Sequence, residues 1–216
     1  DGTLTVTFTS SEPTTNFALD DITETNGSLS SFTQTSSTVY TVTFTPTADG
    51  AATINVAGST FTDAAGNNNT AAIQFNWTYD AAGPTITITA SNGSNAVSDS
   101  STTNDGTLTV TFTSSEPTTN FAVDDITETN GSLSSFTQTS STVYTVTFTP
   151  TADGAATINV AGSTFTDAAG NNNTAATQFN WTYDGTAPAM IGIIVDGTGA
   201  DIDWTNSTSS LTATWS

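Results

Sequence analysis

The stretch Thr142–Thr151, "TVYTVTFTPT", repeated letter for letter at Thr38–Thr47, decides how this chain is read. Apolar and Thr positions alternate strictly, and the same alternation runs through "GTLTVTFTS" at residues 2–10 and 106–114. A period of two is that of a strand with one face buried, and Thr is a good strand former on the other face. With only 35 % hydrophobic residues the composition alone resembles that of a disordered chain, but the alternation argues for ordered strands.

Working outward, Asp1–Asp80 aligns with Asp105–Asp184 without a gap, a period of 104 residues. Two of those 80 positions differ: Leu19 against Val123, and Ile73 against Thr177. That period is too long for a solenoid unit and matches one immunoglobulin-like sandwich. The expected fold class is therefore all-β, with tandem seven-stranded immunoglobulin-like β-sandwiches arranged as beads on a string. The expected division is 1–80 for repeat one, 81–184 for repeat two and 185–216 for the start of a further module.

Repeat two predicts seven strands, beginning near Pro84, Gly106, Phe121, Leu133, Thr142, Gly154 and Thr177. Residues two apart share a face, so Leu108, Val110 and Phe112 should meet Tyr144, Val146, Phe148, Ile158, Val160, Phe179 and Trp181 in the core. Asp124 and Asp125 fall inside a predicted strand, where they would point to opposite faces and mark a bulge. Asp1 aligns with Asp105, which follows the first strand of repeat two, so repeat one is expected to lack a counterpart of "PTITITA" (84–90). Both ends then cut through a domain, as in a piece of a longer protein. The alternative is a neighbouring subunit that supplies the strand and builds a fibre by strand exchange.

The charge narrows the function. Twenty acidic residues face no Lys, Arg or His, for a formal charge of -20. Nucleic acid and anionic membranes are poor partners for such a chain, since binding them relies on cationic side chains. No apolar run is long enough to insert in a bilayer. Without Cys there are no disulfides and no thiolate sites, and without His there is no imidazole base, so an enzyme is not expected. Divalent cations are the natural counter-charge, and they are plentiful outside cells.

The placement of the acids suggests where such a cation would sit. In a sandwich whose chain reverses at each loop, the incoming linker, the second-to-third strand loop and the sixth-to-seventh strand loop share one pole. For repeat two these carry Asp80, Glu116, and Asp167 with Asn171, a hard-oxygen set of the kind calcium prefers. Gly170 would permit the tight turn that aims Asp167 and Asn171 together, and Asp49 at the far pole of repeat one lies on the opposite side of the joint. Asp184 would serve the next joint, facing Asp201 and Asp203, while Glu12, Asp63 and Asn67 would serve the preceding one. The plainer alternative is a set of solvated loop charges that keep the protein soluble.

"DGTLTVTFTSSEPTTNFAVDDIT" (105–127), "YTVTFTPTADGAATINV" (144–160) and "FTDAAGNNNTAATQFNWTYD" (165–184) resemble the bacterial immunoglobulin-like (Big-type) domains of tandem arrays in large surface proteins and adhesins. The most specific elements are the Asp-x-x-Gly-Asn loop and the Asp-bearing linker before a Pro. The cysteine pair and third-strand Trp of antibody domains are absent. "DGTGADIDWTNSTSSLTATWS" (196–216) resembles the opening of a fibronectin type III module. The resemblance implies an extracellular, cell-surface stalk or filament stiffened by calcium at its joints. Its partners would be neighbouring domains of the same chain, identical subunits in a fibre, or, in the alternative of a binding module, glycans or cell surfaces.

Overall fold

The computed structural model describes residues 2–189, and within them the chain is β throughout apart from two single 3-10 turns. Repeat one contributes β1 (Leu4–Thr9), β2 (Ile22–Thr25), β3 (Gly27–Gln34), β4 (Val39–Pro46), β5 (Gly50–Val56) and β6 (Phe75–Tyr79). Repeat two contributes β7 (Ile86–Ser91), β8 (Ala96–Val97), β9 (Ser101–Thr103), β10 (Leu108–Ser114) and β11 (Ile126–Thr129). It continues with β12 (Gly131–Gln138), β13 (Val143–Pro150), β14 (Gly154–Val160) and β15 (Phe179–Tyr183). The resemblance to a fibronectin type III opening falls on residues 196–216, outside the described residues.

Repeat two is a sandwich of two sheets, ordered β12-β13-β10-β7-β8 and β11-β14-β15-β9. All ten residues read as core from their alternation are buried at 6 % exposure or less, and they form one cluster drawn from both sheets. The cause is the pleat: in β13 the residues Tyr144, Val146 and Phe148 point inward while the Thr between them lie half-buried on the other face. At one end Phe121 stands among four rings, with centroid distances of 5.6 Å to Phe112, 5.8 Å to Phe136, 5.0 Å to Tyr144 and 4.9 Å to Phe165. Repeat one carries the corresponding sheets in shorter form, β1-β4-β3 and β2-β5-β6.

Two features differ from the sequence reading. Repeat two has nine strands instead of seven, because β8 closes a hairpin on β7 and β9 pairs in parallel with β15, placing Ser101 opposite Trp181. The polar edge strand β9 is held by its backbone and buries no apolar face, so it carries no alternation to read. Asp124 and Asp125 are not in a strand. They belong to a 3-10 turn, Val123–Asp125, closed by the Ala122 main-chain NH donating to Asp125 Oδ2 at 2.8 Å. The bulge lies instead in β12, between Ser134 and Thr137, where Ser135 takes φ +55°.

The two positions at which the repeats differ lie on the surface: Leu19 and Val123 are 36 % and 39 % exposed, and Ile73 is 99 % exposed. Phe121→Ala should cost repeat two about 3–5 kcal/mol, read from the urea midpoint, because the ring's four neighbours cannot collapse into the space. Val123→Leu, which copies repeat one, should stay within about 0.5 kcal/mol of the parent.

Candidate metal site

Three segments of the compact unit Asp1–Gly185 meet where repeat one hands over to repeat two. The first is the linker after β6, from Asp80 to Pro84. It is held on the repeat-one side by Asp49, whose Oδ1 accepts the Ala81 main-chain NH at 2.8 Å. On the repeat-two side a Cβ at Gly83 would collide with the Asn172 carbonyl, so the linker lies against the 165–174 loop at a distance only glycine permits. Pro84 is fully buried, and its carbonyl accepts the Thr174 NH at 3.0 Å.

The second segment is the loop after β10, "SSEPTTN", which carries Glu116. Its anchor is Thr118, buried, whose hydroxyl meets the Tyr144 hydroxyl at 2.7 Å, while Gln138 Nε2 donates to the same tyrosine at 2.9 Å. Thr118 also forms an isolated β-bridge with Asp167, which brings the second segment onto the third.

The third segment is the loop from Phe165 to Thr174. Gly170, at φ +93°, turns the chain so that Asn171 comes back over Asp167. The Asn171 NH donates to Asp167 Oδ1 at 2.8 Å and its side-chain amide to Oδ2 at 2.9 Å. That amide also reaches the linker, donating to the Asp80 carbonyl at 3.1 Å. Asn171, read from the sequence as an oxygen ligand, is placed as a strut that ties the loop to the linker. Two residues not singled out from the sequence hold the loop in shape. Asn173, buried, accepts the NH groups of Thr164 and Phe165 on its Oδ1 at 2.8 and 3.0 Å and donates to the Ala161 carbonyl at 2.8 Å. Asn120 Oδ1 accepts the Thr166 NH at 2.9 Å. The "NNNT" run at 171–174 was the available signal, since Asn is the side chain that can both accept from and donate to a loop backbone.

Together these segments bring carboxylate oxygens of Asp80, Glu116 and Asp167 within 4.8 Å of one another. Asp167 is buried, and the other two are half-buried. Burial works to raise the Asp167 pKa, but the Asn171 amide and the loop NH groups outweigh it and hold the carboxyl below its ordinary value. Glu116 has no such donors, and burial, followed by the charges of Asp80, Asp167 and Asp49, pushes its pKa up. The arrangement is one ionised acid held in place by amides beside another held at electrostatic cost.

The other predicted ligands fall elsewhere. Asp63 and Asn67 repeat the Asp167–Asn171 pairing in repeat one, with 2.8 and 2.7 Å bonds, and Asp63 is likewise held below its ordinary pKa, first by the Asn67 amide. Glu12 is exposed, and among the described residues it joins no group of three acids. Asp184 follows β15 at the surface, its NH donating to the Thr103 carbonyl at 3.0 Å, while Asp201 and Asp203 lie outside the described residues. Asp153 repeats the Asp49 contact, accepting the Gly185 NH at 2.7 Å.

The family model described as bacterial Ig-like domain matches residues 1–79 and again 80–183. The chain belongs to that family. No curated protein matches it. Among solved structures it is similar to InvD of Yersinia pseudotuberculosis, with 21 % identity and a TM-score of 0.41 over 89 % of this chain and 55 % of that one. It is also similar to the adhesin InvE of the same organism, with 18 % identity and a TM-score of 0.31 over 84 % of this chain and 54 % of that one. A third is invasin, an integrin-binding bacterial protein, with 19 % identity and a TM-score of 0.37 over 76 % of this chain and 32 % of that one. The chain spans about half the length of the first two. Among the described residues no helix is long and apolar enough to cross a membrane.

The raised pKa of Glu116 sets the sign of a test. A carboxyl whose folded-state pKa lies above its ordinary value favours folding when protonated, so its contribution is present below that value and is lost as pH rises through the raised one. In chelator, the stability difference between Glu116→Gln and the parent should therefore grow in favour of the variant as pH rises past the ordinary 4.5. Urea unfolding across that pH range reads the difference, and a gap that stays constant or narrows would count against the strained Glu116 carboxylate.

Proposed function

We propose that this chain is a repeat region of an extracellular bacterial surface protein of the adhesin type, whose Ig-like domains act as spacers. A calcium ion at the joint between repeats would be held by Asp80, Glu116 and Asp167. The observation that carries the reading is the convergence of those three carboxylates within 4.8 Å in a chain without a single cationic side chain. The donor set fits: calcium–oxygen distances of about 2.3–2.6 Å allow ligands on opposite sides of one ion to lie about 5 Å apart. Such an ion would offset the burial and the acid–acid repulsion that together raise Glu116, and Asn171 and Asp49 would keep the linker aligned for it. Backbone carbonyls and water are the usual further ligands of such a site.

The spacer role is supported by membership in a bacterial Ig-like family and by the near-identity of the repeats. Two differences in 80 positions, all on the surface, are expected of a unit multiplied for length. Domains that each recognise a ligand ordinarily diverge at their loops. Calcium at the joint would resist domain rotation and so set the stiffness of the array. Catalysis has no support in this inventory of side chains.

Titration calorimetry and thermal unfolding of the chain with calcium and with chelator test the reading. Calcium at a hundred times its Kd should stabilise the parent by about 2.7 kcal/mol, several degrees in Tm. The D80N/D167N double variant should lose the response, whereas Asp63→Asn should keep it. Coincident parent curves in calcium and chelator would overturn the proposal.

A further inference from the structure

The tripeptide Asn-Gly-Ser occurs three times, at residues 26–28, 92–94 and 130–132. An asparagine followed by glycine is the pair most open to deamidation, since no Cβ shields the following main-chain nitrogen from the asparagine Cγ. With the sequence the same at all three places, the surroundings decide which of them reacts.

Asn26 and Asn130 are built into the fold. Each is half-buried, and its side-chain amide donates to a carbonyl, Asn26 Nδ2 to Ala48 at 2.7 Å and Asn130 Nδ2 to Ala152 at 2.8 Å. The glycine that follows begins a strand, β3 or β12, and lies so close to the ring of Phe44 or Phe148 that a Cβ would collide with it. Neither glycine nitrogen can swing towards its asparagine without moving a strand. Asn92 stands in the turn between β7 and β8, where both it and Gly93 are exposed and a Cβ at Gly93 would point into open space. Its Oδ1 accepts the Ser94 NH at 3.1 Å and the Asn95 NH at 2.8 Å, which folds the side chain forward over the backbone that follows. Those two donors face the oxygen that becomes negative when a nitrogen adds to Cγ, the arrangement of an oxyanion hole. Asn92 Nδ2, the nitrogen that would leave, donates to both carboxylate oxygens of Asp105 at 3.2 Å.

We infer that Asn92 with Gly93 is a site of spontaneous deamidation, and that its conversion unfastens the polar edge of repeat two. The Gly93 main-chain nitrogen bonds to Asn92 Cγ and the Cγ–Nδ2 bond breaks. Ammonia leaves with the proton that Gly93 gives up, and a succinimide ring remains. Water opens the ring at either carbonyl to give aspartate or isoaspartate at position 92, with no oxidation or reduction. Either product carries a carboxylate where an amide donor stood, against Asp105, in a chain with no cationic side chain to answer it. Asp105 is also held by the Thr103 hydroxyl, and Thr103 is the last residue of β9, paired with Tyr183 of β15. The Asn92–Asp105 bonds thus tie the end of β7 to the end of β9, and their loss loosens the pairing of β9 with β15. The site stands apart from the calcium reading, since none of its contacts involves Asp80, Glu116 or Asp167.

The test is to hold the full chain in mildly alkaline buffer, sample it over time and read conversion at each Asn-Gly pair by mass spectrometry of chymotryptic peptides. Asn92 should convert about tenfold faster than Asn26 or Asn130. In urea, where the three tripeptides lose their surroundings, the rates should become equal. The Asn92→Asp variant and the converted fraction of the parent should both show faster amide exchange in β9 by NMR, while β10 and β13 stay protected. Equal rates in the folded chain, a preference for Asn92 that survives urea, or unchanged β9 exchange after conversion overturns the inference.

Discussion

No carboxylate in this chain can be answered by a protonated side chain, and that constraint organises the loops. Several of the acids are answered instead by main-chain NH groups and amides. Asp49 takes Ala81, Asp153 takes Gly185, Asp125 takes Ala122, and Asp99 takes Asn180 across 81 residues of sequence. Each of these bonds fixes a turn or joins two segments, so the negative charge doubles as loop scaffolding. Asp63 and Asp99 lie below their ordinary pKa for this reason, the first chiefly through the Asn67 amide and the second chiefly through the Asn180 NH. Glu116 differs: among the described residues no donor answers its carboxylate, and it is drawn among other acids by anchors that have nothing to do with charge, namely Thr118 beneath Tyr144.

The paired repeats work as an internal control on what holds the sandwich together. Two nearly identical sequences give strands of the same order and register, with Leu4 opposite Phe44 just as Leu108 is opposite Phe148. The local code is therefore sufficient for the strands. It is not sufficient for burial: β1 alternates between half-buried and exposed, whereas β10 alternates between fully buried and largely exposed, and β7 accounts for the difference. A core position in such a fold belongs to the sheet as assembled, because removing one covering strand exposes residues on both facing sheets.

Alternation was legible wherever one face of a strand is buried, and that covered the whole core of repeat two. The joining of Asp80, Glu116 and Asp167 was legible too, because it follows from strand order and needs only that the loops at one pole converge. Strands β8 and β9 were not, since a short hairpin and a polar edge strand leave no hydrophobic period. The turn at Val123–Asp125 is not legible because it is closed by the Ala122 NH on the Asp125 carboxylate, a side-chain contact that leaves no trace in the apolar pattern around it. The roles of Asn120, Asn171 and Asn173 depend on which carbonyls come within reach of an amide, a tertiary property that composition does not carry.

The segment from Asp80 to Ser91 joins these threads. It presents an acid to the cluster and passes Gly83 against the Asn172 carbonyl. It then buries Pro84 and continues without a break into β7, which covers the core of repeat two. One short run of chain thus serves as linker, as member of the acid cluster and as covering strand. Tilting one repeat against the other would pull on the Asn171 amide bonds to the Asp80 and Ala82 carbonyls, and through Pro84 on the first residues of β7. The joint is stiff, on this geometry, to the extent that β7 stays seated, and β7 is held along its length by the register from Ile86 to Ser91 with β10. Core packing and joint rigidity are therefore one mechanical problem, and the calcium ion proposed for the acid cluster would fasten the end of a segment whose other end is already built into the sheet.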